Sequence, residues 1–279
     1  MWGPLCKLRV EACSRGLSAL GVLLVVNCAS PSEQFDRQSE AFGFRREVVH
    51  GIDYSHAVYR KGGEARGTLH IYLDGDGVPW IAGRPSDDPT PRHSLVLRLM
   101  QLDPAPAVYL GRPCYNGFAA APPCASRLWT SARYGEEVVA SIGAAMRRIL
   151  GESGYDRVVW VGHSGGGALA MLLAERVPQT TAVITIAADL DTEAWATYRG
   201  LDLAGSLNPA RRPPLRSDIV QVHYAGSNDG VVPPAITAQG VTGGPTKLMV
   251  IKGYDHVCCW EDLWPSVLAR ISESLGKEP

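Results

Sequence analysis

The chain has 279 residues, enough for one sizeable α/β domain or two small ones, and one domain is the simpler reading. Its 27 Lys plus Arg nearly cancel its 28 Asp plus Glu, so no strong field draws it onto a polyanion by counterion release, which argues against a nucleic-acid partner. With 46% hydrophobic and 20% charged residues, the composition is that of a self-folding globular core.

Lys7, Arg9 and Arg15 precede an apolar run from Leu17 to Val26 that is too short to span a bilayer comfortably, and the run ends in Asn27-Cys28-Ala29-Ser30. Residues 1–27 read as a secretory leader. Leu24-Val25-Val26-Asn27-Cys28 resembles a bacterial lipobox, in which the cysteine is lipidated and becomes the new N-terminus, with Asn27 departing from the small residue usual there. Lipidation of Cys28, ordinary cleavage and an uncleaved anchor stand as three readings, and each places the domain outside the cytoplasm. Ala29 lacks the Asp that retains such proteins on the inner membrane, so the resemblance implies an outer-membrane, periplasm-facing lipoprotein. Residues 28–41 are then expected to be a polar tether, and residues 42–279 the folded domain.

In chain order, a weak extended segment over 48–60 is expected to form an antiparallel edge hairpin with a β-rich run over 68–73, which stops at the turn cluster Asp74-Gly75-Asp76-Gly77. Residues 107–110 predict another strand. Cys114 and Cys124 lie in a Gly/Pro-rich stretch with nine residues between them, a spacing that permits a disulfide, against two buried free thiols as the alternative. Apolar residues Val138, Val139, Ile142, Ala145, Met146, Ile149 and Leu150 recur at three and four, predicting a helix over 132–150 closed by Gly151. A β-branched run (157–161), a glycine-rich turn (162–167) and an apolar helix (168–177) follow.

Three more strands are predicted over 181–186, 219–224 and 247–251, then a last helix through Val267, Leu268, Ile271 and Leu275, opened by Pro265. Strands alternating with helices imply a mainly parallel sheet with helices on both faces. The irregular stretch 191–218, with Trp195, Tyr198, Leu201 and Leu203, is the expected small cap over the sheet's C-terminal edge. The pairing of Cys258 and Cys259 stays open.

Gly162-His163-Ser164-Gly165-Gly166 matches G-x-S-x-G, a weak pattern alone in a chain with 30 glycines. Its setting between strand and helix is that of a nucleophile elbow, where small neighbours permit a strained turn that exposes Ser164 Oγ; the alternative is a glycine turn that only packs or holds a phosphate. A serine hydroxyl needs a base, and the base a third group to orient it. His256 follows the final strand and is the chosen base, whereas His163 sits in the elbow and is expected to point away from the serine. Asp229, the carboxylate in Gly226-Ser227-Asn228-Asp229-Gly230, is the chosen acid, with Asp189, Asp191 and Asp255 as competitors. The oxyanion donors are expected from the backbone N–H of Gly165 and of Asp76, with Gly75 as the alternative to Asp76.

These motifs, together with Tyr109-Leu110-Gly111-Arg112-Pro113-Cys114, Trp129-Thr130 and Asp255-His256-Val257-Cys258-Cys259-Trp260, resemble the α/β-hydrolase superfamily and, within it, a group of proteobacterial lipoproteins. The resemblance implies an open sheet of about eight strands with the second antiparallel, and a covalent acyl-enzyme mechanism. It departs at Asp74-Gly75, where the family often has His-Gly.

The expected activity is hydrolysis of a small or medium carboxylic ester or related acyl compound, without metal or organic cofactor. Tyr115, Trp195 and Tyr198 are the candidates for an apolar acyl pocket. Thioesterase, amidase and peptidase activity use the same groups, and a non-catalytic cell-envelope binding protein on this scaffold is the alternative from another class.

Overall fold

The computed structural model describes residues 29–62, 66–241 and 246–276, so the leader and Cys28 lie outside the described residues. The expected tether is instead a packed helix, α1 (Pro31–Ala41). It begins on a reciprocal cap in which Ser30 Oγ accepts from the Glu33 N–H and the Glu33 carboxylate accepts from the Ser30 N–H. Phe35, 1% exposed, packs at 5.1 Å and 4.9 Å between ring centroids on Tyr59 and Tyr109. One aromatic anchor in a polar sequence fastens the segment, because burying a Phe is worth about 1.5–3 kcal/mol.

The segment 48–60 also differs from expectation. β1 (Arg45–His50) and β2 (Ser55–Arg60) form a hairpin with each other, closed by the Gly51 N–H to Tyr54 carbonyl bond at 2.7 Å. β2 then pairs antiparallel with β6 (Ala107–Leu110), while β3 (Arg66–Leu73) lies beyond β6. A short antiparallel hairpin, β4 (Trp80–Ile81) with β5 (Arg84–Pro85), and α2 (Leu95–Leu102) occupy the connection from β3 to β6. Every α2 residue but the last two and Arg98 is buried, and Arg98 and Gln101, three apart, mark its outer face.

After β6 come α3 (Glu136–Gly151), β7 (Gly154–His163), α4 (Gly165–Ala174), β8 (Thr180–Ile186), α5 (Thr192–Arg199), β9 (Val220–Gly226), α6 (Pro234–Gln239), β10 (Thr246–Ile251) and α7 (Trp260–Gly276). The eight-stranded sheet has the order β1-β2-β6-β3-β7-β8-β9-β10, and β2 alone runs against its neighbours. Alternation along β7 builds both faces: Val158 and Trp160 pack with α3 and α4, Val159 and Val161 with α2 and α7. Helix α7 starts at Trp260, so Pro265 falls inside it instead of opening it. Trp260 and Trp264, 2% and 1% exposed, anchor the extra N-terminal turn.

Candidate active site

Strand β7 delivers His163 and then Ser164, which sits at φ 52° and ψ −129° before α4. That conformation is sparsely populated for a residue with a Cβ, and it is held by the Ser164 N–H to the Ile186 carbonyl (2.9 Å) and the Gly167 N–H to the Ser164 carbonyl (2.8 Å). The glycines around it are there for space. A Cβ on Gly166 would lie 2.1 Å from the Leu73 carbonyl oxygen, and one on Gly162 2.3 Å from that of Gly166.

Two loops at the C-terminal ends of β9 and β10 carry the other members. His256 Nδ1 donates to Asp229 Oδ2 at 2.9 Å, and the other Asp229 oxygen accepts from the N–H groups of Val231 and Val232, both at 2.8 Å. The loops are stitched together by the Asn228 N–H to the Tyr254 carbonyl (2.9 Å) and the Ser227 N–H to the Ile251 carbonyl (3.0 Å). Asp255 is turned to its own loop, accepting from the Val257 and Cys258 N–H groups, and Asp191 caps α5 through the Ala194 N–H. Neither touches His256. Ser164 and His256 line one cleft of about 550 Å³. Among the described residues no hydrogen bond yet joins Ser164 Oγ to the imidazole, a contact that sites of this kind often tighten only with substrate in place.

No protein-family model matches the chain, and no curated protein does. Among solved structures it is similar to a puromycin hydrolase (TM-score 0.60, 15% identity, 84% of this chain and 40% of that one) and to the Pyrococcus horikoshii acylaminoacyl peptidase (0.60, 11%, 85% and 42%). An esterase/lipase from an uncultured bacterium matches over nearly its whole length (0.57, 14%, 91% and 94%). The chain has the α/β-hydrolase fold. It spans about two fifths of the first two proteins.

In this fold the turn after β3 lies against the elbow, and a Cβ on Gly75 would be 3.2 Å from Ser164 Cβ. The Gly75 N–H is already given to Asp74 Oδ1 at 2.9 Å, which removes the alternative oxyanion donor. The N–H groups of Asp76 and of Gly165 have no acceptor among the described residues, and the latter belongs to the positive N-terminus of α4.

A buried network fixes this turn. Tyr115 Oη donates to the Asp76 carbonyl (3.1 Å), Arg112 to the Asp74 carbonyl (3.2 Å), and the Asp76 carboxylate meets Arg112 (2.9 Å), Arg133 (2.8 Å) and Tyr134 Oη (2.7 Å). Burial opposes the charge on Asp76, but Arg133 and Arg112 outweigh it and hold its carboxyl below the usual range. Tyr134 Oη also lies 2.9 Å from Asp189 Oδ2. Burial, with the Asp76 charge second, pushes Asp189 up to about 7, and this former competitor for the acid hydrogen-bonds Tyr134 instead of orienting a histidine. The network reaches the elbow: a Cβ on Gly165 would be 2.2 Å from Asp76 Oδ1.

The expected pocket residues separate. Trp195 lines the cleft and donates from Nε1 to the Val231 carbonyl at 3.0 Å, tying helix α5 to the Asp229 loop. Tyr198 is 53% exposed, outside the cleft, with its hydroxyl on the Gly230 carbonyl (3.2 Å). Tyr115 is 1% exposed and belongs to the clamp under the oxyanion turn rather than to an acyl pocket. Sequence patterning missed Val78, Pro79 and Trp80, which line the cleft from the start of the β4–β5 hairpin and the two residues before it, because a two-residue strand has no readable period.

His163 lines the cleft and packs on His256, a contact that the sequence reading did not foresee. The Cys114–Cys124 disulfide is formed, with Cα atoms 5.6 Å apart, and it ties down the segment bearing Arg112 and Tyr115. The sulfurs of Cys258 and Cys259 lie side by side on the loop that follows His256.

Proposed function

We propose that the protein is a serine hydrolase that cleaves a carboxylic ester or related acyl compound through an acyl-enzyme intermediate. The observation that carries this reading is the His256 to Asp229 bond at 2.9 Å, made in the same cleft as a serine held at φ 52° on a glycine elbow. Ser164 Oγ attacks the carbonyl while His256 Nε2 takes its proton, and Asp229 accepts from Nδ1 and stabilises the imidazolium. The carbonyl oxygen gains the negative charge and is held by the Gly165 and Asp76 N–H groups. His256 returns the proton to the leaving group, and a water, activated by the same imidazole, releases the acyl group and regenerates the serine.

The cleft volume of about 550 Å³ suits a small or medium acyl substrate. Attachment to a membrane through a lipid on Cys28, and with it a place in the cell envelope facing the periplasm, is proposed from the leader sequence alone. The reaction is tested by labelling the purified domain with a fluorophosphonate and locating the adduct by peptide mass spectrometry. An adduct on Ser164 that is lost in His256→Ala and weakened in Asp229→Asn is the expected result. A folded, oxidised protein that takes no label overturns it.

A further inference from the structure

The walls of the cleft differ in charge from the molecule as a whole. The chain carries a net charge of −1, yet the exposed ionisable side chains that line the cleft are Arg92, His93 and Arg199. The carboxylates on its wall are buried: Asp74 is 5% exposed, and Asp76, 9% exposed, is held by Arg112 and Arg133. Neither Arg92 nor Arg199 has a hydrogen-bond or ion-pair partner among the described residues.

Carboxylates on the same segments are engaged elsewhere or lie outside the cleft. Glu193, on the helix that carries Arg199, is paired with Arg211, and Asp88 accepts from Ser32 and from the Thr90 N–H. Asp87 is exposed and does not line the cleft. The two arginines come from different segments. Arg92 follows the segment that packs on the oxyanion turn, where the Val78 N–H donates to the Pro89 carbonyl at 3.0 Å, and Arg199 ends helix α5, which Trp195 ties to the Asp229 loop.

A cleft rimmed by one sign of charge attracts the opposite sign, and arginine's planar fork suits a carboxylate or similar oxyanion better than a lysine would. The same cleft also has an apolar lining, with Pro79, Trp80, Leu201 and Val231. From this, and resting on the hydrolase reading above, we infer that the substrate is an acyl compound carrying a negatively charged group, which Arg92 and Arg199 select. The charge is needed on the portion that crosses the rim, and the uncharged remainder lies on the apolar wall.

The test compares kcat/KM for three chromogenic esters, each corrected for its spontaneous hydrolysis: p-nitrophenyl butyrate, which is neutral; mono-p-nitrophenyl glutarate, with a carboxylate on the acyl part; and 3-carboxy-4-nitrophenyl butyrate, with a carboxylate on the leaving group. At low ionic strength one of the charged esters is expected to exceed the neutral one by roughly fivefold to tenfold, the scale of two solvent-exposed charge contacts. That ratio falls toward one in about 0.5 M salt, where the screening length is only a few ångströms, and in Arg92→Gln/Arg199→Gln. Whichever charged ester is preferred shows which part of the substrate crosses the rim. Equal hydrolysis of all three, or a preference that the double variant leaves intact, overturns this inference and leaves the hydrolase reading standing. Hydrolysis of none overturns both.

Discussion

His163 Nε2 donates to the backbone carbonyl of His256 at 2.9 Å, and the two rings pack with centroids 4.8 Å apart at 48°. Burial first, and the charge of His256 second, bring the His163 pKa down to about 3, so the ring is neutral near pH 7 and its donor nitrogen is fixed by the carbonyl it faces. One elbow histidine therefore positions the loop of the other. His163→Ala is expected to lower kcat by roughly tenfold to a hundredfold with little change in KM, because small displacements of a catalytic group are costly. Ester kinetics and the rate of fluorophosphonate labelling of Ser164 check this; a variant that changes KM alone would contradict it.

The clamp under the oxyanion turn makes a separate prediction. Tyr115→Phe removes the hydroxyl donated to the Asp76 carbonyl, which should cost about 1 kcal/mol of stability and lower kcat more than it alters KM. Arg133→Met leaves the buried Asp76 carboxylate with one guanidinium in place of two, which should cost less than the about 3–5 kcal/mol of leaving a buried charge unpaired. Urea unfolding of the two variants beside the parent gives both numbers.

The Cys114–Cys124 bond closes a short loop, with a sequence separation of 10, and sits beside Arg112 and Tyr115 of that clamp. Loop-closure entropy for such a ring is worth about 3 kcal/mol. Cys114→Ser/Cys124→Ser should lower the melting temperature by several degrees or more, and should slow ester hydrolysis even at temperatures where the variant remains folded.

Acid sensitivity follows from five buried groups. His56, His163 and His223 are lowered by burial to about 4, 3 and 4, so on acidification below about 6.5 the unfolded chain takes up three protons that the fold refuses. Asp74 and Asp189 act in the opposite sense, because burial raises them to about 6 and about 7 and the fold holds protons that an unfolded Asp releases above about 4. Three against two leaves about one proton more on the unfolded state, so stability should fall by about 1.4 kcal/mol per pH unit between pH 6 and 4.5. Asp189→Asn removes one opposing group and should steepen the slope toward twice that value. Denaturant unfolding at intervals of half a pH unit measures both; a flat profile for the parent would refute the assignment.

The strands β7, β8 and β9 were legible as short runs rich in β-branched residues, α3 by apolar residues repeating at three and four, and α4 as an apolar run after a glycine-rich turn; the sheet follows from the alternation of strands with helices. The order Ser164, Asp229, His256 was legible too, because each residue sits where a predicted strand ends. Helix α1 was not: its attachment depends on Phe35 meeting Tyr59 and Tyr109, which lie distant in the chain. The same holds for the hairpin, where pairing of β2 with β6 rather than β3 depends on the neighbour available across the sheet.

The sequence by itself determined the fold class and singled out the residues proposed to carry chemistry, since local periods, glycine spacing and turn residues act within a few positions of one another. Only the tertiary structure decided what surrounds them. Tyr115 moved from pocket to clamp, Asp189 from candidate acid to hydrogen-bond partner of Tyr134, His163 came to pack on His256, and Arg92 and Arg199 came to line one cleft. Each of those roles depends on burial and on contacts between residues far apart in the chain, and packing, not local pattern, fixes them.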